Sequence, residues 1–372
     1  MRVIALYLPQ FHEIPENNEW WGKGFTEWTN VKKGKKYYSW QKQPRVPLND
    51  NYYCLLDEEK QEWQAELAKQ YGIYGFCYYH YWFDGHMLLE KPMERMLKNS
   101  KIDLPFCISW ANEDWTNAWV TTNSKVLISQ TYGNRDEWER HYRYLSQFFK
   151  DERYIKDNGK PLFVLYRPEI IPCVSEMIAF WNELAVKDGF SGINFAYQHP
   201  ALDYPTQKDN SMFTYDIEMQ PIYAKIVSEG MAKRKTKDHI IKIIEKMNLN
   251  WIIEKIKKAK GPKVFDYDEL WQTIIKTPPV SEKSIPCAFT DWDNTCRRGE
   301  QGSTTYGVSV KKFKEYFKQY AAKSINEYKN DYMFIFAWNE WGEGGYLEPD
   351  ADNGTGFLEA IRDVQKELEN QR

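Results

Sequence analysis

The chain has 372 residues, with 50 Lys and Arg against 53 Asp and Glu, which gives a formal net charge of −3. This near-balance argues against a nucleic-acid-binding protein, because such proteins usually carry a marked basic excess. Hydrophobic residues make up 42% and charged residues 28%, values that exclude long disorder and fit a folded chain.

Short apolar runs recur along the chain and predict β-strands. They are Arg2–Leu8, Gly72–Tyr79, Pro105–Trp110, Pro161–Tyr166, Gly192–Gln198, Met212–Gln220, Ile285–Asp291 and Tyr332–Trp338. Most lack strict polar–apolar alternation, as expected of strands buried on both faces of a parallel sheet. Helical patterns lie between most of them, at Asp57–Tyr71, Asp136–Lys150, Val174–Lys187, Val310–Glu327 and Phe357–Asn370. Strands alternating with helices predict one (β/α)₈ barrel domain over residues 1–372. A doubly wound sheet is disfavoured, because no Gly-rich phosphate turn follows the first strand.

One segment between the sixth and seventh strands differs in composition. Ala224–Lys263 holds 12 Lys and Arg against 4 Asp and Glu, with an apolar stripe of helical period. We therefore predict a helical insertion over residues 222–285. Its basic face is either a solvated surface or a contact for anionic lipid headgroups or a pyrophosphate-linked substrate.

The sequence carries no membrane or targeting signal. No apolar run approaches the roughly 18 residues that a spanning helix needs. The N-terminal run is too short for a signal peptide and has no small-residue cleavage site. We therefore expect a cytosolic protein, with the basic segment as a candidate contact with the inner face of the membrane.

Aromatic residues are unusually frequent, with 16 Trp, 26 Tyr and 19 Phe. Trp and Tyr combine a flat apolar face with a polar group, which suits the C–H faces of sugar rings. A large aromatic core is the other interpretation, and composition alone leaves both open.

In a barrel the active site lies at the C-terminal ends of the strands. There this sequence places carboxylates, amides and imidazoles beside aromatic rings, a combination typical of glycoside chemistry. The candidate substrate-binding residues are Tyr7, Trp21, Glu27, Trp28, His80, Trp82, Trp110, Asn112, Glu113, Trp292, Asp293, Asn339 and Trp341. Several of these residues could instead have a purely structural role: Glu27 could hold its loop in place, and His80 could be a core histidine.

The most informative stretch is Asn339-Glu340-Trp341-Gly342-Glu343-Gly344, which follows the last strand. Glu340 and Glu343 lie three residues apart among tryptophans and glycines at the expected barrel mouth. We predict that these two glutamates are catalytic.

No metal or cofactor is predicted. The six histidines are not paired at metal-ligand spacing, and the six cysteines are scattered without a CxxC pair. The sequence contains neither a G-x-S-x-G elbow nor a Walker A motif.

Several long motifs, in order, resemble the glycoside-hydrolase-family-99-like proteins. Within that group the chain is similar to the WbsX-like glycosyltransferase family of bacterial surface-polysaccharide gene clusters. The motifs are Tyr7-Leu8-Pro9-Gln10-Phe11-His12, Trp21–Trp28, Gly75–Phe83, Trp110–Glu113, Trp292–Thr295 and Asn339–Gly344 followed by Leu347-Glu348-Pro349. The resemblance covers nearly the whole chain and implies a (β/α)₈ barrel, an oligosaccharide or lipid-linked glycan as substrate, and no metal.

The resemblance also implies a mechanism with retention and without a covalent enzyme intermediate. Glu340 takes the proton of the sugar 2-hydroxyl, whose oxygen attacks C1 to form a 1,2-anhydro sugar. Glu343 is the general acid, and then the base for the acceptor. Two departures from the family 99 hydrolases limit this transfer of roles: those proteins are mostly secreted or Golgi-resident, and their motif usually has another residue at the position of Gly342.

Three alternatives remain open at this stage. The acceptor could be water, which would make the protein an endo-acting α-mannosidase-like hydrolase. The barrel could be a non-catalytic glycan-binding scaffold. If the 1,2-anhydro route is wrong, Asp293 is the reserve nucleophile.

The pair Arg297-Arg298 could bind a phosphate or pair with nearby carboxylates.

Overall fold

The computed structural model describes residues 1–116, 125–198, 210–229 and 261–370. Its centre is a closed barrel of eight parallel strands, in which each strand pairs with the next along the chain and the eighth pairs with the first. The strands are β1 (Arg2–Tyr7), β2 (Ile73–Phe83), β3 (Phe106–Trp110), β4 (Lys160–Leu165), β5 (Asn194–Gln198), β6 (Tyr215–Glu218), β7 (Ser284–Phe289) and β8 (Tyr332–Phe336). The predicted (β/α)₈ barrel is therefore confirmed.

The barrel strands are buried on both faces, which explains their continuous apolar sequences. In β1 the whole stretch from Val3 to Tyr7 is buried. Ala5 pairs with Phe76 of β2 on one side and with Ile335 of β8 on the other. One face of each strand fills the barrel interior and the other meets the helix layer, so neither face is available for polar residues.

Strand β2 runs four residues further than the sequence predicts. Its end pairs in antiparallel fashion with the short strand His86–Leu88. The tight turn between them contains Asp84 and Gly85, both with positive φ. The additional backbone partner extends β2 beyond Tyr79, where the sequence analysis ended it.

Eleven helices lie among the residues that the structure describes. They are α1 (Pro15–Trp21), α2 (Glu27–Lys32), α3 (Glu58–Gln70), α4 (Lys91–Lys98), α5 (Arg135–Phe149), α6 (Val174–Lys187), α7 (Ile222–Glu229), α8 (Tyr267–Lys276), α9 (Thr295–Arg298), α10 (Val310–Glu327) and α11 (Gly356–Glu369). The five predicted helices are present with ends shifted by at most one residue. Side-chain caps fix three of their starts: Asp57 before α3, Asn134 before α5 and Ser309 before α10.

The remaining regular structure consists of short strands and single 3₁₀ turns in the loops. The short strands are His86–Leu88, Trp115–Thr116, Val126–Ile128, Lys156–Asp157, Lys263–Asp266, Ser303–Tyr306, Asn339–Glu340 and Gly345–Tyr346. The 3₁₀ turns are Leu48–Asp50, Pro168–Ile170, Gly299–Gln301 and Trp341–Glu343. All of these elements except Lys156–Asp157, which pairs with the start of β4, lie in loops that follow a barrel strand.

The predicted insertion over 222–285 is described only at its two ends. Helix α7 begins it, and the strand Lys263–Asp266 pairs in parallel with Ser303–Tyr306. Helix α8 packs against α7 and α10, with Trp271 fully buried. The basic residues and apolar stripe within 230–260 lie outside the described residues, so the insertion stays a prediction.

Within the described ranges, no helix is both long and apolar enough to cross a membrane.

Candidate active site

The loop after β8 brings Glu340 and Glu343 together on one tight turn. Asn339–Glu340 pairs in antiparallel fashion with Gly345–Tyr346, and the 3₁₀ turn Trp341–Glu343 joins the two short strands. The turn can close because the residue that follows it, Gly344, has a left-handed backbone conformation. Residues with a side chain rarely adopt that conformation. Both carboxylates therefore come from one short segment at the C-terminal mouth of the barrel.

A buried network anchors this turn from behind. The Trp341 indole stacks on Tyr346 with ring centroids 3.8 Å apart, and its Nε1–H donates to Glu348 Oε2 over 2.6 Å. Gln64 Nε2 and the Tyr53 hydroxyl also donate to the Glu348 carboxylate, over 2.6 and 2.9 Å. Burial raises the pKa of Glu348 to about 7, although the hydrogen bonds from these donors lower it. Glu348 is thus a positioning residue for the turn.

Arg297 joins three carboxylates into one cluster. Its Nε donates to Glu27 Oε1 over 2.8 Å and its Nη2 to Glu340 Oε1 over 2.6 Å, while its Nη1 lies 3.3 Å from Glu343 Oε1. The Arg297 side chain is 7% exposed and Glu27 is fully buried. Glu27 begins α2, in the loop after β1, and Arg297 lies in α9, in the loop after β7. Three loops therefore converge on one guanidinium.

The two glutamates of the turn differ in environment. Glu340 is 8% exposed and Glu343 is 25% exposed. Burial raises the pKa of Glu340 to about 8; the Arg297 guanidinium lowers it, and the carboxylates of Glu343 and Glu27 raise it further. Near neutral pH Glu340 therefore exchanges its proton readily, a property that acid–base catalysis requires. Glu343 is the more solvent-accessible of the two carboxylates.

Gly342 lies where the cluster leaves no room for a side chain. A Cβ atom there would stand 2.1 Å from Glu27 Oε1 and 2.3 Å from Arg297 Nε. We expect Gly342→Ala to displace this buried ion pair, lowering the free energy of unfolding by about 1–3 kcal/mol and reducing activity. Chemical denaturation and a turnover assay measure both effects. Wild-type stability in the variant would contradict the packing argument.

Two of the predicted binding residues, Trp28 and Asn339, support the turn instead of facing the open mouth. Trp28 packs on Trp341 with ring centroids 5.4 Å apart, and its Nε1–H donates to a backbone carbonyl. The Asn339 side chain both accepts from and donates to the backbone of Leu8 at the end of β1. Trp21, at the end of α1, is half-buried with its ring 5.8 Å from that of Phe25.

Trp292 and Asp293 lie in the loop after β7, beside the turn that carries Glu340 and Glu343. The Asp293 N–H donates to the Glu343 carbonyl over 2.6 Å. Its carboxylate is fully buried and accepts hydrogen bonds from Gln41 and Thr295. This placement gives Asp293 a positioning role and speaks against its use as a reserve nucleophile. Lys225 Nζ lies 3.7 Å from the ring centroid of Trp292.

Four other predicted binding residues point away from the mouth. His80 Nε2 lies 3.0 Å from His141 Nε2 of α5, and the Trp82 ring stacks on His141 at 4.4 Å. Trp110 packs edge-on against the same histidine. The Tyr7 hydroxyl donates to a glutamine of α3. All four lie between strands and helices, so the structure does not bring them to the carboxylate cluster.

Asn112 and Glu113 lie at the mouth in the loop after β3. Asn112 bonds to the backbone N–H and carbonyl of Arg167, and Glu113 pairs with the Arg167 guanidinium over 2.6 Å. Burial raises the pKa of the nearby Tyr166 hydroxyl, and the carboxylates of Glu113 and Glu343 add to the rise. The charges of Glu113 and Glu343 both act on Tyr166, which makes Tyr166 a candidate substrate contact that the sequence analysis did not select.

Tyr81 was missed in the same way. Burial raises the pKa of its hydroxyl, and the charges of Glu340, Arg297 and Glu27 also act on it. Tyr81 lies in the Gly75–Phe83 motif and Tyr166 ends the predicted strand Pro161–Tyr166, but no pattern in the sequence favoured either tyrosine over its neighbours. In the described part of the chain, no group of three or more His, Cys, Asp or Glu side chains is arranged to hold a metal ion.

Comparisons with known proteins identify relatives of this chain. The WxcX proteins of two Xanthomonas campestris pv. campestris strains, B100 and ATCC 33913, are each 31% identical over 362 residues, which is 97% of this chain. The match covers 49% of their length, so the chain spans about half of these relatives. The family 99 endo-α-mannosidase of Bacteroides thetaiotaomicron has a similar structure, with a TM-score of 0.59 and 13% identity over 99% of this chain and 98% of that chain. A glycoside hydrolase-like protein gives a TM-score of 0.58 and 11% identity over 98% and 93%. At these identities the structural likeness shows the fold alone.

The closed barrel defines the class of this chain as a (β/α)₈-barrel protein, with paired carboxylates at the C-terminal mouth. More closely, the chain belongs to the family described as Glycosyltransferase WbsX, whose model matches residues 3–361. The resemblance drawn from the sequence motifs is therefore confirmed.

Proposed function

We propose that this protein makes or cleaves a glycosidic bond with retention during the synthesis of a bacterial surface polysaccharide such as O-antigen or capsule. The observation that carries the proposal is the pair Glu340 and Glu343 on one turn, joined by Arg297 and differing in burial. Membership of the WbsX family supports the choice of a sugar substrate.

In the proposed reaction the enzyme forms no covalent bond to the sugar. Glu340 removes the proton of the 2-hydroxyl, and that oxygen attacks C1 as the bond from C1 to the leaving oxygen breaks. Glu343 gives its proton to the leaving oxygen, and a 1,2-anhydro sugar results. Glu343 then takes a proton from the acceptor, whose oxygen opens the three-membered ring at C1, while Glu340 returns its proton to O2. The hydrogen bond from Arg297 stabilises the ionised form of Glu340.

The acceptor distinguishes a glycosyltransferase or transglycosylase from an endo-acting α-mannosidase-like hydrolase. We favour a sugar acceptor, supported by the description of the family. We also propose that the glycan is lipid-linked and is handled at the cytoplasmic face of the membrane. The 12 Lys and Arg of Ala224–Lys263 support this location, because anionic headgroups attract such segments.

The proposed role of Glu340 gives the reaction a definite pH dependence. A base acts only when ionised, and the ionised fraction of Glu340 rises about tenfold per pH unit below its pKa of about 8. For a substrate with an activated leaving group, which needs no proton from Glu343, we expect kcat/KM to increase with pH from 6 and to level off above about 8. A pH–rate profile between pH 6 and 9.5, with unfolding monitored at each pH, tests this. A profile that falls with pH over this range would mean that Glu340 is the acid and Glu343 the base.

Product mass is the test of the function itself. The purified protein is incubated with α-manno-oligosaccharides alone, and then with lipid-linked acceptors and a panel of nucleotide sugars. Elongated lipid-linked product that requires a nucleotide sugar establishes a transferase. Shortened glycans formed without any nucleotide establish a hydrolase or transglycosylase and refute the nucleotide-dependent synthase.

A further inference from the structure

A cavity of about 210 Å³ opens beside the proposed catalytic turn, Trp341–Glu343. None of the four members of the Arg297 cluster lines it. The loops after β1, β7 and β8 each contribute walls, among them Trp40, Tyr306 and Asn353. Asp293 lies between cavity and catalytic turn, because it lines the cavity while its N–H holds the Glu343 carbonyl.

Two exposed aromatic rings stand at this cavity. Trp40 is 36% exposed and Tyr306 is 50% exposed. Their ring centroids lie 5.0 Å apart in an edge-on arrangement. Tyr38 stacks parallel to Trp40 at 5.3 Å, and the Tyr38 hydroxyl is fixed by a 2.6 Å hydrogen bond to the Pro262 carbonyl. The rings therefore form a braced platform, which stacks on the apolar faces of a ligand at little entropic cost.

Polar side chains also line the cavity. Arg45 Nη2 donates to Asp291 Oδ2 over 2.6 Å, and both side chains are buried. Arg45 Nε has no hydrogen-bond partner among the described residues. Lys42 Nζ donates to Asn353 Oδ1 over 3.3 Å. Aromatic rings together with held donors and acceptors are the combination that a polyhydroxylated ring requires.

We propose that this cavity is a second saccharide-binding site, which holds a sugar unit of the glycan chain at a distance from the reacting bond. The proposal rests on the proposed function only in taking a glycan as the ligand. A protein partner fits the cavity less well, because stable protein interfaces are much wider and have a more extensive apolar centre.

The test measures binding to α-manno-oligosaccharides of two to six units and to fragments of bacterial surface polysaccharides on a printed array, followed by calorimetry. The double variant Trp40→Ala/Tyr306→Ala is compared with the wild type. Ile325→Ala removes an exposed side chain of α10 and is the control. We expect the double variant to bind the longest ligand about tenfold more weakly, to bind the disaccharide unchanged, and to unfold at the wild-type temperature.

Three outcomes would overturn the proposal: no glycan binding by the wild type, equal affinity of wild type and double variant for the longest ligand, or an equal loss for the disaccharide. The last would place Trp40 and Tyr306 at the catalytic centre. A protein captured at the same residues without any glycan effect would assign the platform to a partner. Failure of the catalytic proposal would give a different result. Turnover would then survive Glu343→Gln, while glycan binding would still depend on Trp40.

Discussion

Glu343→Gln will lower turnover by about 10²- to 10⁴-fold, the range typical of a lost general acid–base group. Gln keeps the shape of the side chain but cannot give a proton to the leaving oxygen or take one from the acceptor. Glu343 is the more exposed member of the pair, so its replacement leaves the buried contacts of Glu27 and Glu340 with Arg297 in place. We therefore expect glycan affinity to stay within about twofold and fold stability to be nearly unchanged.

The matched control is Glu66→Gln, which changes an exposed glutamate of α3. It should retain wild-type turnover. A Glu343→Gln protein that keeps more than a tenth of wild-type activity would remove Glu343 from the mechanism. If the wild type binds glycans but converts none of them, and the variant binds equally well, the non-catalytic scaffold replaces the enzyme as the best interpretation.

Arg297→Met will lower the free energy of unfolding by about 3–5 kcal/mol, the usual result of removing one partner from a buried ion pair. The substitution leaves Glu27 fully buried without its guanidinium and leaves Glu340 beside two like charges. We also expect activity to be lost, because the three loops no longer converge on a common partner. Denaturation in urea, monitored by tryptophan fluorescence, measures the change.

The neighbouring residue supplies the control for this substitution. Arg298 is exposed, and Arg298→Met should change stability by less than about 0.5 kcal/mol. Adding Glu27→Gln to Arg297→Met should restore part of the lost stability, because it removes the unpaired buried charge. Additive effects of the two substitutions would show that the pair is not coupled, contrary to the geometry.

The sequence was sufficient to predict the barrel and to select the candidate pair Glu340 and Glu343, for different reasons. Buried parallel strands leave unbroken apolar runs, and these located all eight strands. Glu340 and Glu343 were found because they lie in one short, glycine-rich motif. Arg297 and Glu27 are 270 positions apart, and only the closed barrel shows that they form one ion pair.

The direction of the β2 side chains could not be predicted. Neighbouring residues of a strand point to opposite faces. Tyr79 and Tyr81 point toward the barrel interior or mouth, whereas His80 and Trp82 point toward α5. Because the motif is aromatic or polar at every position, no alternation marked the inner face. The sequence therefore indicated His80 and Trp82 as binding residues and passed over Tyr81.

The turn between Asn339 and Glu348 holds Glu340 and Glu343 together with its own internal anchors, Trp341, Tyr346 and Glu348. In the proposed reaction, both acting carboxylates therefore lie within ten residues of one loop. The other loops of the mouth can then differ in the sugar that they bind, provided that they preserve Glu27 and Arg297. We expect related barrels with different loops to bind different glycans and to keep the same reaction.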